Sequence, residues 1–171
     1  MSAIVCVKML PTFWGSFFND ALTTIPHIVY VGLLIGWVIS VQNRILNPKI
    51  RRYLVAVGIL MILWLTARTI KWRFLPVVDP IGRYLWYAYY IPMIFIPLIG
   101  VCITDCIGKT SDYKTPLWLK LLFIPATLLV AFVFTNDFHN LVFVFPNGIE
   151  LFDSDYGYSF GFYIVCAWFI I

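Results

Sequence analysis

The stretch LWLKLLFIPATLLVAFVFT, residues 117–135, holds one charged side chain, Lys120, among 19 positions. About 20 mostly apolar residues in a helix cross the hydrocarbon of a bilayer, and this stretch has that length. A helix apolar on all sides must be buried, in a large core or in lipid. Working outward, similar runs occupy residues 22–41, 53–70 and 85–104, and a fifth, residues 156–171, is still apolar at Ile171. In lipid every backbone polar group must be paired internally, and the alternation of a membrane barrel is absent, so the runs are read as helices. The expected fold is an all-α membrane protein. It is a polytopic helical bundle of four complete transmembrane helices plus a fifth cut short, with a small extracytoplasmic β-hairpin. One transmembrane domain covers residues 1–171, and the open-ended fifth run leads us to expect a longer parent chain.

Composition agrees. The chain is 62% hydrophobic and 12% charged, against about 25% charged in soluble domains. Lys8 follows the apolar Met1–Val7, the reverse of a secretory leader, so the first helix is expected to be retained. Phe13, Trp14, Phe17 and Phe18 precede it and suit the headgroup region, where aromatic side chains gather. The four cysteines, Cys6, Cys102, Cys106 and Cys166, form no CxxC pair, and Cys102 and Cys106 read as small apolar helix residues.

Charge gives an orientation. Gln42–Arg52 carries Arg44, Lys49, Arg51 and Arg52 without an acid, and Lys109, Lys114 and Lys120 follow helix three. Asn136–Asp155 has no Lys or Arg. Basic loops face the cytoplasm, so the N-terminus is expected outside, with these seven basic residues inside against Lys8, Lys71, Arg73 and Arg83 outside. The basic second loop would then share the outer face with Asp137, Glu150, Asp153 and Asp155. It either docks on that acidic loop or lets Lys71 and Arg73 snorkel to the surface.

Local signals refine this frame. Gly32-x-x-x-Gly36 on helix one is a small-residue spacing that lets two backbones approach. It marks a seam within the chain by preference, or else between two copies as a homodimer. Gly157-x-x-x-Gly161 opens helix five and reads the same way. Pro92 and Pro97 remove amide donors from helix three and bend it. Leu141–Phe145 and Ile149–Phe152 read as strands joined at Asn147-Gly148, a pair that tolerates the positive φ of a tight turn. Arg68 and His27 sit near helix ends as an interfacial anchor and a hydrogen-bonded helix-end residue.

Catalytic and cofactor signatures are absent: there is no P-loop, dinucleotide fingerprint, HExxH or GxSxG. Two histidines on separate segments do not make a metal site, and no basic aromatic groove points to nucleic acid. The expectation is a chain that is no enzyme, with no cofactor and no metal, whose partner is the lipid bilayer.

The segments Arg83-Tyr84-Leu85-Trp86-Tyr87-Ala88-Tyr89-Tyr90-Ile91-Pro92 and Thr135-Asn136-Asp137-Phe138-His139 resemble the seven-helix N-terminal sensory region of bacterial receptor histidine kinases. The resemblance spans helices two to five. It implies a sensory input module in the bacterial cytoplasmic membrane, relaying an outside or membrane signal to a cytoplasmic output domain. The phospho-accepting histidine and ATP-binding segment of such kinases are missing here, so kinase activity is not carried over. Under this resemblance Arg83, Tyr87, Asn136 and His139 converge at the outer helix ends as a site for a small-molecule or peptide ligand. Arginine's planar fork suits carboxylate or phosphate, and histidine titrates near neutral pH. The structural alternative gives Asn136, Asp137 and His139 the work of closing helix four and fixing the hairpin. The alternative function is a small multi-pass membrane subunit or transporter fragment with the proline-broken helix lining a path.

Overall fold

In a computed structural model, residues 25–75, 80–110, 112–149 and 156–170 are described. The N-terminal aromatics Phe13–Phe18, the start of helix one, the acids Glu150, Asp153 and Asp155, and Ile171 lie outside them. Among the described residues four stretches are long and apolar enough to cross a membrane: Ile25–Arg44, Pro48–Lys71, Pro80–Cys106 and Leu117–Phe134. Their number matches the sequence expectation and suggests a membrane protein. The element order is α1 (Ile25–Arg44), α2 (Pro48–Phe74), α3 (Pro80–Ala88), α4 (Tyr90–Cys106), α5 (Leu117–Leu121), α6 (Phe123–Phe134), α7 (Asn136–His139), β1 (Phe143–Val144), β2 (Gly157–Tyr158) and α8 (Phe160–Trp168).

Caps and prolines set the boundaries. Pro48 stands in the first turn of α2 and the Asn47 side chain accepts from the Lys49 amide at 3.0 Å. Proline there needs no amide donor, and Asn satisfies one that the helix leaves free. The helix therefore begins five residues before the expected Tyr53, and Lys49, Arg51 and Arg52 lie on its first turns, not in a loop. Pro80 likewise draws Arg83 into α3. The expected helix three divides at Tyr89, where the amide of Tyr89 bonds the Trp86 carbonyl at 3.1 Å in a tighter turn. Pro92 removes the donor for the Ala88 carbonyl, and its ring crowds that group. Pro125 acts the same way on the carbonyl of Leu121, which splits the expected single helix four into α5 and α6. Pro97, by contrast, stays inside α4.

The Pro80–Cys106 span is central: 39% of its most apolar stretch is buried, against 6% in each of the first two spans and 17% in Leu117–Phe134. Its inward stripe is Tyr87, Tyr90, Ile94, Leu98 and Cys102, three or four residues apart as one helix face requires. Leu119, Ala126 and Val133 repeat every two turns on α5–α6 and pack against it. Trp168 of α8 reaches the same core, its indole N–H donating to the Ile94 carbonyl at 3.0 Å. Cys102 and Cys106 are buried free thiols, as expected of small apolar residues. Much of α1 remains uncovered: Ile28 is 67% exposed and Leu33 65%.

Three readings change. The small antiparallel ladder is present, but β1 pairs with Gly157–Tyr158, with Phe143 opposite Tyr158 and Val144 opposite Gly157. The expected second strand over Ile149–Phe152 lies largely outside the described residues. β1 falls within the strand expected over Leu141–Phe145; its partner was read as the opening of helix five. Lys71, for which snorkelling was the alternative to docking on the acidic loop, is 4% exposed and so does not reach out to the surface. The seam expected at Gly32 and Gly36 is not made within the described chain, since a Cβ at either would meet nothing. Close packing occurs instead at Gly58, where a Cβ would collide with Val38 and Trp37 of α1, and at Gly161.

At Gly161 a Cβ would lie 2.7 Å from the Leu141 carbonyl oxygen and 2.5 Å from the Phe132 ring. The Gly161 amide donates to that same carbonyl at 2.7 Å, so the oxygen cannot retreat without losing the bond. Gly161→Ala is expected to cost about 2 kcal/mol through this overpacking. Gly36→Ala, with open space around it, is expected to be neutral or to gain about 0.5 kcal/mol from helix propensity. Unfolding of the two variants in detergent measures the contrast, and equal stabilities would count against the packing at Gly161.

Candidate functional site

The polar residues at one end of the central span meet around Asp137. The chain leaves α6 at Thr135 and makes the single turn α7, ended by Asn140 at φ 50°. Asparagine is one of the few side chains that accepts this left-handed backbone, and its amide closes the turn on the Asn136 carbonyl at 2.8 Å. The turn aims Asn136 and Asp137 at α3.

Arg83 donates from Nε at 3.1 Å and from Nη2 at 2.9 Å to Oδ2 of Asp137. The Tyr87 hydroxyl donates to Oδ1 at 2.7 Å. The two charged side chains are only 14% and 13% exposed, so their attraction is weakly screened by water. Sequence complementarity between the second and fourth connections is thus realised at this pair.

Asn136 is fully buried and fully bonded. Its Oδ1 accepts from the amides of Val142 and Phe143, each at 2.9 Å. Its Nδ2 donates to the Phe143 carbonyl at 3.0 Å and to the Tyr87 hydroxyl at 3.4 Å. An amide side chain offers two donors and two acceptor positions, and all four are used. Phe143, held by these bonds, is buried against Trp86 at 4.6 Å, Tyr90 at 5.6 Å and Phe162 at 6.1 Å between ring centroids.

Of the four residues named from the sequence, Arg83, Tyr87 and Asn136 therefore converge. His139 lies on the same turn but faces α6. Its ring stacks on Phe132 at 4.7 Å, Nε2 is 3.1 Å from the Phe132 carbonyl, and Nδ1 accepts from the Leu141 amide at 3.0 Å. Those partners assign the hydrogen to Nε2. In this geometry His139 closes an end carbonyl of α6 and Asn136 fixes β1. Asp137, read from sequence as one acid among several, is the hub of the cluster. Its signal was available: it is an acid in a connection without Lys or Arg, opposite a connection that ends in Arg83. Phe143 had no such signal beyond its place in the expected strand Leu141–Phe145.

The opposite end is organised by a second small cluster. The Asn47 side chain donates to the Lys109 carbonyl at 3.3 Å, which joins the two basic connections. Lys109 Nζ lies 2.7 Å from Asp105 and 3.8 Å from the centre of the Tyr113 ring. The Asp105 carboxylate, then the Tyr113 hydroxyl, holds the Lys109 ammonium above the ordinary lysine range. Any stabilisation from that raised pKa is present below the ordinary lysine value and lost as pH rises through the raised one. Among the described residues no three His, Cys, Asp or Glu side chains cluster as metal ligands. No protein-family model, curated protein or solved structure matches the chain.

Proposed function

We propose that the chain is a membrane-embedded sensory input module, its N-terminus outside a bacterial cytoplasmic membrane, that passes a signal from its outer end toward a cytoplasmic output domain. One observation carries the reading. The central span is jointed at Tyr89, and its α3 segment is tied by Arg83 and Tyr87 to the Asp137 turn, while α4 beyond the joint is packed in the core. A displacement of the outer turn would thus be delivered to α3 and, across the joint, to α4. Bistable or jointed elements of this kind turn small shifts into larger ones.

Lipid as solvent is supported by the large apolar side chains that α1 leaves uncovered, an outer face far too apolar for water. Orientation is supported by the junction of the two basic connections at the end opposite Asp137. The transporter reading has less support, because Ile94, Leu98 and Cys102, which flank Pro97, are buried by packing and do not line a path.

The reading is tested by joining the chain in frame to the remaining helices and output domain of a receptor of the resembled class. Arg83→Gln and His139→Ala, at matched membrane levels, are expected to shift basal output severalfold. Output unchanged in both, or labelling that places Gln42–Arg52 outside the cell, overturns it.

A further inference from the structure

The geometry points to an anionic-lipid site between the last turn of α1 and the first turns of α2, where Arg51 and Arg52 take the phosphate of a phospholipid headgroup. This inference rests on the membrane reading above and adds a ligand at the end of the molecule remote from Asp137.

A cavity of about 460 Å³ is lined there by Gln42, Asn43, Arg51, Arg52 and Val55. Arg51 makes one long bond from Nη1, 3.5 Å to the Gln42 carbonyl, and Arg52 is exposed. Neither arginine meets a carboxylate among the described residues. The carboxylates at this end, Asp105 and Asp112, do not line the cavity, and Asp105 is held by Lys109. The amides of Lys49 and Ile50 are already taken by the Asn47 side chain, so the helix terminus is not what would hold the ligand. What remains free is a pair of planar forks with amide side chains beside them. Guanidinium forks match phosphate oxygens in paired hydrogen bonds.

The surroundings choose the source of that phosphate. Leu46, in the turn between the two helices, is 94% exposed, and Leu117 and Trp118 at the same end are 71% and 57% exposed. Tryptophan gathers at the level of headgroups, and Trp118 stands at this end. A phosphate arriving there would carry acyl chains. Basic side chains next to a membrane span are worth about fivefold in affinity each toward anionic lipid.

The test uses the full chain in vesicles of phosphatidylcholine, with and without phosphatidylglycerol. Native mass spectrometry of protein released from the mixed vesicles is expected to show retained phosphatidylglycerol. Arg51→Gln with Arg52→Gln should lower that occupancy about fivefold for each arginine removed. Lys114→Gln with Lys120→Gln, the same charge change outside the cavity, should lower it much less. Val55→Trp, which fills the cavity while keeping both arginines, should also lose the lipid, and it carries the test if the arginine variant does not fold. Equal loss in the lysine and arginine pairs, or inorganic phosphate displacing the lipid from solubilised protein, overturns the proposal. Protein that inserts but retains no phosphatidylglycerol overturns this inference alone. Protein stripped from the vesicles by alkali overturns the membrane reading with it.

Discussion

Replacing Asn136 by leucine is expected to lower the free energy of unfolding by about 3 kcal/mol or more. Leucine keeps the volume but removes both acceptor positions and both donors. The amides of Val142 and Phe143 lose their acceptor, and the Phe143 carbonyl and Tyr87 hydroxyl lose a donor. All of these groups lie in a buried layer. A typical side-chain bond between membrane helices is worth only about 0.6 kcal/mol, and four at that value give about 2.4 kcal/mol. Here three of the four partners are backbone groups of Val142 and Phe143, and each left unpaired costs about 1–3 kcal/mol. The orphaned groups therefore dominate, and the loss must exceed the simple sum. Asn136→Asp separates the terms, since it retains the acceptors for the two amides but loses the donors and sets a second carboxyl beside Asp137. Chemical unfolding in detergent, with β1 order followed through the fluorescence of Trp86 beside Phe143, measures both variants. An Asn136→Leu protein within about 1 kcal/mol of wild type would mean that the amide is not the pin of this end of the molecule.

The sequence reveals the spans of this molecule more readily than its joints. Length and apolarity alone place four helices long enough to cross a membrane among the described residues, because such a run in lipid has no other way to pair its backbone. The splits at Tyr89 and Leu122 were half legible. Pro92 and Pro125 each predict a disturbance, yet Pro97 stands in an intact helix, and nothing local distinguishes it from the other two. Around it Ile94 and Leu98 are packed in the core and the Trp168 indole bonds the Ile94 carbonyl, contacts that the local sequence does not show. Small-residue motifs were equivocal for a similar reason. Gly32, Gly36 and Gly161 share one spacing pattern, but only at Gly161 is another backbone against the glycine. The spacing states that approach is permitted, and the partner's position decides whether it happens. The resemblance named Arg83, Tyr87, Asn136 and His139 for the candidate site, and charge complementarity set the connection ending in Arg83 opposite the one that holds Asp137. The bond that His139 accepts from the Leu141 amide follows the turn made by Asn140 at positive φ, a turn geometry that leaves only a weak trace in residue type.

The second large effect lies in the coupling between Arg83 and Asp137. Either Arg83→Gln or Asp137→Asn alone is expected to cost about 3 kcal/mol, because each leaves a mostly buried charge without its partner. In Arg83→Gln the orphan is a carboxylate still bonded by the Tyr87 hydroxyl; in Asp137→Asn it is a guanidinium facing a neutral amide. The double variant removes both charges together. Its cost should be well below the sum of the singles, with a coupling energy of about 2 kcal/mol. A cycle of four unfolding curves in detergent reads that coupling directly. Raising the salt should change it little, since side chains this buried lie inside the reach of ionic screening only weakly. Tyr87→Phe, which removes one bond from each of Asp137 and Asn136 without moving a charge, should add nearly the same cost in wild type and in Asn136→Leu if it acts through Asp137, and much less in Asn136→Leu if it acts through Asn136. Additive costs for Arg83→Gln and Asp137→Asn would show that the pair sits in contact without holding α3 to the turn, and the tie through which an outer displacement is proposed to reach the central span would then be missing.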